Sequence, residues 1–350
     1  MTIMTKLDND SLVFAFPDIH PEAKLSIEFQ RTLRIPDDSK TYPLPPGLGK
    51  FPVRLVDDFK NNVSAEWREH GGVMLPMYQS EALWLRFHAS RIPDHGQYQF
   101  AIKVSAGKRS AVTGKDWQSG LNEKDYLIIP KQPWLDGYVV SSGIIRQFVA
   151  APLGAGVTVE EQLTGKAEFG GIQIEVFPMK WDAFEKHFPK RPPTTDYWTG
   201  SAGDSRKGTR SMMRSAPSAA AAPRSDMGLA AGGRMKQEIY ADSFGIGEWD
   251  TTRSGRCFVH LANSLVWKDI TNQAAPSTPA TARAYTQAGL PWFDYYSDGP
   301  TLAATPELGG IKSVAEMAPH MLPENVSVEP KKPILIVSPP GSEVRDGKWA

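Results

Sequence analysis

Apolar side chains recur at every second position through most of the first half of this 350-residue chain, and a period of two is the period of a strand. In KLSIEFQRTLRI, Leu25, Ile27 and Phe29 fall on one face, and LVFAF just before it alternates in the same way. Short apolar runs follow at strand-like spacing: GVMLPMY, EALWLRFH, YQFAIKVSA, DYLIIP, YVVSSGIIRQFVA, GVTVEEQL and GIQIEVFPM. Each is bounded by Gly, Pro, Asn or Asp, the residues that end strands and make turns. Between them TYPLPPGLGKFPV carries prolines at 43, 45, 46 and 52, which leaves an extended connection and no helix. The helices of about 10–15 residues that would alternate with strands in an α/β sheet are missing; WDAFEKHF is the one short helical stretch in this half. The pattern predicts a mainly β protein. Its core is an antiparallel β-sandwich or barrel-like arrangement with a few short helices, mostly C-terminal.

Composition divides the chain into three parts. Residues 1–190 form the β-rich domain. Residues 191–233 turn to Pro, Ser, Ala, Gly, Met and Arg, with no apolar period to offset the entropy of ordering, and read as a flexible linker. Nine Lys or Arg against three Asp or Glu in residues 190–236 make that region basic. Residues 234–350 read as a smaller α+β segment, with packing on the first as one option. MKQEIYAD and GRCFVHLANSLVW supply strands, Thr278 and Pro279 open a helix that Gly289 closes, Ser313 and Glu316 form a capping box, and PILIVS is a closing strand.

Charge and cysteine content narrow the function classes. Lys and Arg, 39 together, balance 39 Asp and Glu, so no net field draws the chain to nucleic acid, and no nucleic-acid partner is expected. One cysteine, Cys257, rules out an internal disulfide and thiolate metal clusters and suits a reducing, cytoplasmic location. No uncharged apolar stretch reaches the ~20 residues of a helical membrane span, and MTIMTKLDND has no apolar run behind its lysine.

No motif declares a reaction. Cys257 and His260, three apart in a strand, point to opposite faces and form no local dyad. Asp18 with His20, and Arg86 with His88, share strand faces but give too few ligands for zinc; no metal and no cofactor are expected. LGAGVTVEEQ has GxG spacing without the helix that a dinucleotide fingerprint needs. The densest polar phrase, residues 132–165, gathers Trp134, Asp136, Arg146, Glu160 and Glu161. On a strand Glu160 and Glu161 face opposite ways, so a glycosidase-like pair would have to be Glu160 with Asp136 from another strand. The structural alternative is an Asp136-Gly137 turn and a cross-strand ion pair from Arg146 to Glu160 or Glu161. Trp292, Phe293, Tyr295 and Tyr296 around Asp294 are the chemistry of a sugar face, a protein hot spot or a core.

YQSEALWLRF, DYLIIPKQPWLDG, IRQFVAAPLGAGVTVEEQLTG and AGLPWFDYY resemble phrases in a recurring group of uncharacterised bacterial proteins. The resemblance implies an N-terminal module, a low-complexity segment and a C-terminal module, and it brings no catalytic residue. The leading expectation is a non-enzymatic binding or scaffold protein that recognises a protein or a polysaccharide. Trp134, Trp292, Phe293, Asp294, Tyr295 and Tyr296 are its ligand-binding candidates. A hydrolase of glycosidic or ester bonds is the alternative, with Asp136, Glu160 and Glu161 as carboxylates and Arg146 as their electrostatic partner. A self-assembling structural protein is the third; oligomeric state is open.

Overall fold

The first apolar runs form a meander in which β1 (Met4–Asp8), β2 (Ser11–Ala15) and β3 (Lys24–Thr32) pair antiparallel in chain order. Asn9 and Asp10, both at positive φ (47° and 58°), make the two-residue turn between β1 and β2, a conformation these side chains tolerate better than most. The structure is a computed structural model and describes residues 3–122, 124–190, 226–279, 300–318 and 342–349. Further along come β4 (Val73–Met77), β5 (Ala82–Ala89), β6 (Phe100–Ala106), β7 (Leu127–Ile129), β8 (Trp134–Leu135), β9 (Gly137–Ser141) and β10 (Ile144–Pro152). After these are β11 (Ile172–Pro178), β12 (Asp226–Lys236), β13 (Gly255–Asn263) and β14 (Ser342–Glu343), with shorter strands between.

These strands join in one large, mostly antiparallel and open sheet. Its path runs β1-β2-β3-β5-β10-β12-β13-β11-β6-β7. Parallel pairing is confined to β4 on β13 and to Thr41–Tyr42 on β12 among the described strands. Leu25, Ile27 and Phe29 lie on the inner face at zero exposure, each burial stabilising by ~1.5–3 kcal/mol. The helices are short: α1 (Ala65–His70), α2 (Val159–Thr164), α3 (Trp181–His187), α4 (Trp267–Thr271), α5 (Pro306–Gly309) and α6 (Val314–Met317). The Ser313–Glu316 capping box opens α6 as its spacing predicts.

Four local readings are corrected. GVTVEEQL is not a strand: Thr158 and Glu161 bond reciprocally as a capping box and Gly165 closes α2 at φ 72°, so capping outweighs β-branched content. Residues 226–233, assigned to the linker by composition, begin β12. Their small side chains are what a tight seam requires, since a Cβ at Gly232 would stand 2.6 Å from Val149 and one at Gly233 2.3 Å from the Pro36 carbonyl. Asp18 and His20 lie in a turn whose amides at 19 and 20 return to the Phe16 carbonyl, so they share no strand face. Asp136 makes no turn; its carbonyl accepts from Phe148 N, and Gly137 pairs with Gln147. Helix α1, capped by Ser64, was not predicted. The helix expected to end at Gly289 falls beyond residue 279, and it lies, like PILIVS, outside the described residues.

Strands on either side of residues 191–225 interleave. β12 pairs with β10 along Ile144–Pro152, and β13 pairs with β11. The three central strands β6, β11 and β13 are buried along almost their whole length. One face of them, with Ile102, Ile174 and Val259, packs into the main core. The other carries polar and aromatic side chains and is covered by residues 107–122 and by the segment Ser342–Trp349.

Candidate functional site

The carboxylates that the hydrolase expectation requires go to separate places. Asp136 is 3% exposed and bonds Gln237 in both directions, its carboxylate accepting from Nε2 at 2.7 Å while its own amide donates to Oε1 at 3.0 Å. Burial pushes its pKa up to about 7, with the Gln237 hydrogen bond pulling the other way. Glu160 accepts the amides of Glu168, Phe169 and Gly170 at 2.8–3.0 Å and fastens that loop to α2. Burial raises its pKa more than those three donors lower it. Glu161 completes the cap of α2. Arg146 pairs with neither glutamate; it reaches the Gly232 carbonyl at 3.2 Å and Glu316 at 3.3 Å. The cross-strand pair is therefore replaced by one to α6, because Glu160 and Glu161 sit on a helix. Trp292, Phe293, Asp294, Tyr295 and Tyr296 lie outside the described residues.

Trp134 stands on the outer face of β3, β5 and β8. The pairing sets Gln30 opposite Trp84, and sets Glu28 and Trp134 on either side of Arg86. Trp84 and Trp134, both half-buried, meet edge to face at 6.2 Å. Around them Glu28 accepts from Gln30 at 2.9 Å and stands 3.6 Å from both Lys50 and Arg86. Aromatic edges, two cations and a carboxylate thus share one outer patch, with the Gln30 amide buried beneath it at 8% exposure.

The covered face of β6, β11 and β13 is built differently. Register places Lys103, Glu175 and Arg256 in one row, and Ser105, Gln173 and Phe258 in the next. Lys103 is held by Asp125 at 3.0 Å and by the carbonyls of Gln118 and Gly120, under the Trp117 ring at 4.9 Å. Burial raises the pKa of Glu175, while Ser254, Lys103 and Arg256 lower it. Beside this row, Trp67, His260, Phe258 and His70 stack; the closest ring pairs, Phe258 with each histidine, are 4.4 Å apart. His260 Nε2 donates to the Gly71 carbonyl at 3.1 Å in the neutral ring. Burial holds both imidazoles below their ordinary pKa, and Lys108 lowers that of His70 further. A cleft of about 390 Å³ opens beyond Trp67, lined by Asn62, Ser64, Asp226, Asp269 and Ile270 among others.

None of Lys103, Glu175 or Arg256 was singled out in the sequence. Each is one charge inside an apolar run, FAIKVSA, GIQIEVFPM and GRCFVHLAN, and that interruption was the available signal. His88 and Arg86 do share the exposed face of β5, as alternation predicts, and Cys257 is a buried free thiol. No group of three or more His, Cys, Asp or Glu placed to hold a metal occurs among the described residues. Compared with protein-family models, with curated proteins and with solved structures, the chain matches none.

Proposed function

We propose that the protein is a binding or scaffold protein, not an enzyme, and that it recognises a polysaccharide through the outer face of β3, β5 and β8. The observation that carries this reading is the Trp84–Trp134 pair, half-buried among Glu28, Lys50 and Arg86. Indole faces take the C–H side of a sugar ring, and carboxylate, ammonium and guanidinium groups take its hydroxyls. Charges of both signs within one patch suit a neutral, hydroxyl-rich chain better than a strongly charged one. A sheet face also holds these groups on rigid strands, so little side-chain freedom is lost on binding. The unpaired, buried Cys257 fits a reducing location, and the cytosol is part of the same proposal.

The test is a glycan array followed by affinity electrophoresis in polysaccharide gels, with the full chain and Trp134→Ala. The expected outcome is retardation by at least one glycan and a loss of tenfold or more in affinity for the variant, corresponding to about 1.4 kcal/mol. A folded protein that retains no glycan, or a variant that binds as well as the parent, overturns the proposal. A blank array together with Trp134-dependent capture of a protein would give this face to protein recognition instead.

A further inference from the structure

The segment Ser342–Trp349 meets the rest of the molecule as a bound peptide meets its receptor. β14 adds antiparallel to β1, pairing Ser342 with Leu7 and Glu343 with Lys6, and Val344 N donates to the Thr5 carbonyl at 2.8 Å. Backbone contacts continue past the strand: the Arg345 carbonyl accepts from Gly72 N at 2.8 Å, and Gly347 N and Lys348 N donate to the carbonyls of His70 and Glu69 at 3.0 Å. Edge pairing of this kind supplies affinity without regard to sequence, and side-chain pockets supply selectivity.

The selective contacts are specific in charge, shape and clearance. Arg345 clasps both carboxylate oxygens of Asp57 at 2.8 Å, and Asp346 meets Arg256 at 2.9 Å. Trp349 packs against Trp117 and Phe258 with the Arg256 guanidinium 4.8 Å from its ring, and its carbonyl accepts from Lys108. Only glycine passes at 347, since a Cβ there would stand 2.2 Å from the Glu69 carbonyl. The groove is thus complementary to one short sequence.

We propose that this groove is an exchangeable docking site: it holds the chain's own Ser342–Trp349 and accepts the same segment from a second copy. The idea stands independently of the saccharide reading. Every contact above is identical in cis and in trans, which is the condition under which exchange of an element costs little. Residues 319–341, which join the segment to α6, extend to on the order of 75 Å at most, enough chain length for either groove. The resident segment competes as part of the same chain, so exchange is expected at high protein concentration or when the resident segment is weakened.

Two full-length chains test this by mixing. The acceptor carries Lys6→Cys with Gly347→Ala, which weakens its own segment but leaves the groove intact. The donor carries Glu343→Cys alone. Positions 6 and 343 are directly paired, within reach of a disulfide, so a covalent link between them in the mixture reports docking in trans. One chain carrying both Lys6→Cys and Glu343→Cys should close on itself and calibrates the geometry. The expected result on non-reducing gels with mass-spectrometric identification is a heterodimer linked through 6 and 343. Its yield should be several-fold above that with an acceptor lacking Gly347→Ala, and it should vanish when the donor carries Gly347→Ala. Closure of the doubly substituted chain without any trans link up to roughly millimolar protein overturns exchange. Failure of that chain to close overturns the docking itself.

Discussion

The molecule carries polar side chains at alternate strand positions on two faces, and the two differ in what lies over them. On the outer face of β3 and β5, Arg86 retains 56% of its side-chain exposure and stands 3.6 Å from Glu28. On the covered face, Lys103 retains 3% and meets Asp125 at 3.0 Å, with two carbonyls completing its shell. An exposed cation loses little hydration and gains little from its partner, whereas a buried one stands or falls with the groups that replace water. The same residue types therefore make an open, solvated surface in one place and a sealed structural layer in the other. The proposal that the open face serves a ligand requires that the fold not depend on it.

The contrast is most sharply tested at Lys103. Lys103→Ala removes the cation between Asp125 and the buried Glu175 and leaves both carboxylates undercompensated. A loss of about 3 kcal/mol in urea unfolding is expected, the range found when one member of a buried pair is deleted. A loss below about 1 kcal/mol would mean that the covered face is as tolerant as the open one. A smaller effect is expected from the neighbouring histidines. His70 and His260 titrate below their ordinary 6.5 in the folded protein, so the native state favours their neutral form. That contribution is fully present above pH 6.5. It is lost as pH falls below that value toward the folded pKa, at up to about 1.4 kcal/mol per pH unit for each imidazole. Lys108 strengthens the effect at His70, and Glu66 and Glu69 oppose it. His260→Phe keeps an aromatic ring in the stack and removes one titrating group. Its unfolding midpoint should fall less between pH 7.5 and pH 5 than the parent's, and an unchanged slope would remove His260 from the account.

Alternation made part of the sheet legible: β3 and β5 lie where a period of two puts them, while β6, β11 and β13 lie where apolar runs between turn residues do. It also placed Arg86 and His88 correctly on an outer face. What it could not show was register. Lys103, Glu175 and Arg256 are more than seventy residues apart in successive strands, and only pairing brings them into one row. Residues 226–233 were misread because Gly and Ala bury themselves by close backbone approach, which leaves no hydrophobic period. Residues 159–164 were misread because two hydrogen bonds of a capping box decide a short helix against β-branched content. Trp134 was found as an aromatic candidate from its polar neighbourhood. Its partner Trp84 was not, because EALWLRFH reads as an ordinary strand and only pairing brings the two indoles together.

The smallest expected effect is also the most discriminating. Arg86→Ala removes a cation on the same strand as Trp84, directly paired with Trp134 and opposite Glu28. Its side chain is already in water, and Glu28 keeps Gln30 and Lys50 as neighbours. A change of stability within about 0.5 kcal/mol is expected, and raising the salt concentration should shrink it further. If Arg86→Ala instead costs as much as Lys103→Ala, the outer face is held together by its charges and is not free for a ligand. If stability holds but glycan affinity falls with that of Trp134→Ala, the guanidinium belongs to recognition, and the separation between a structural face and a binding face stands.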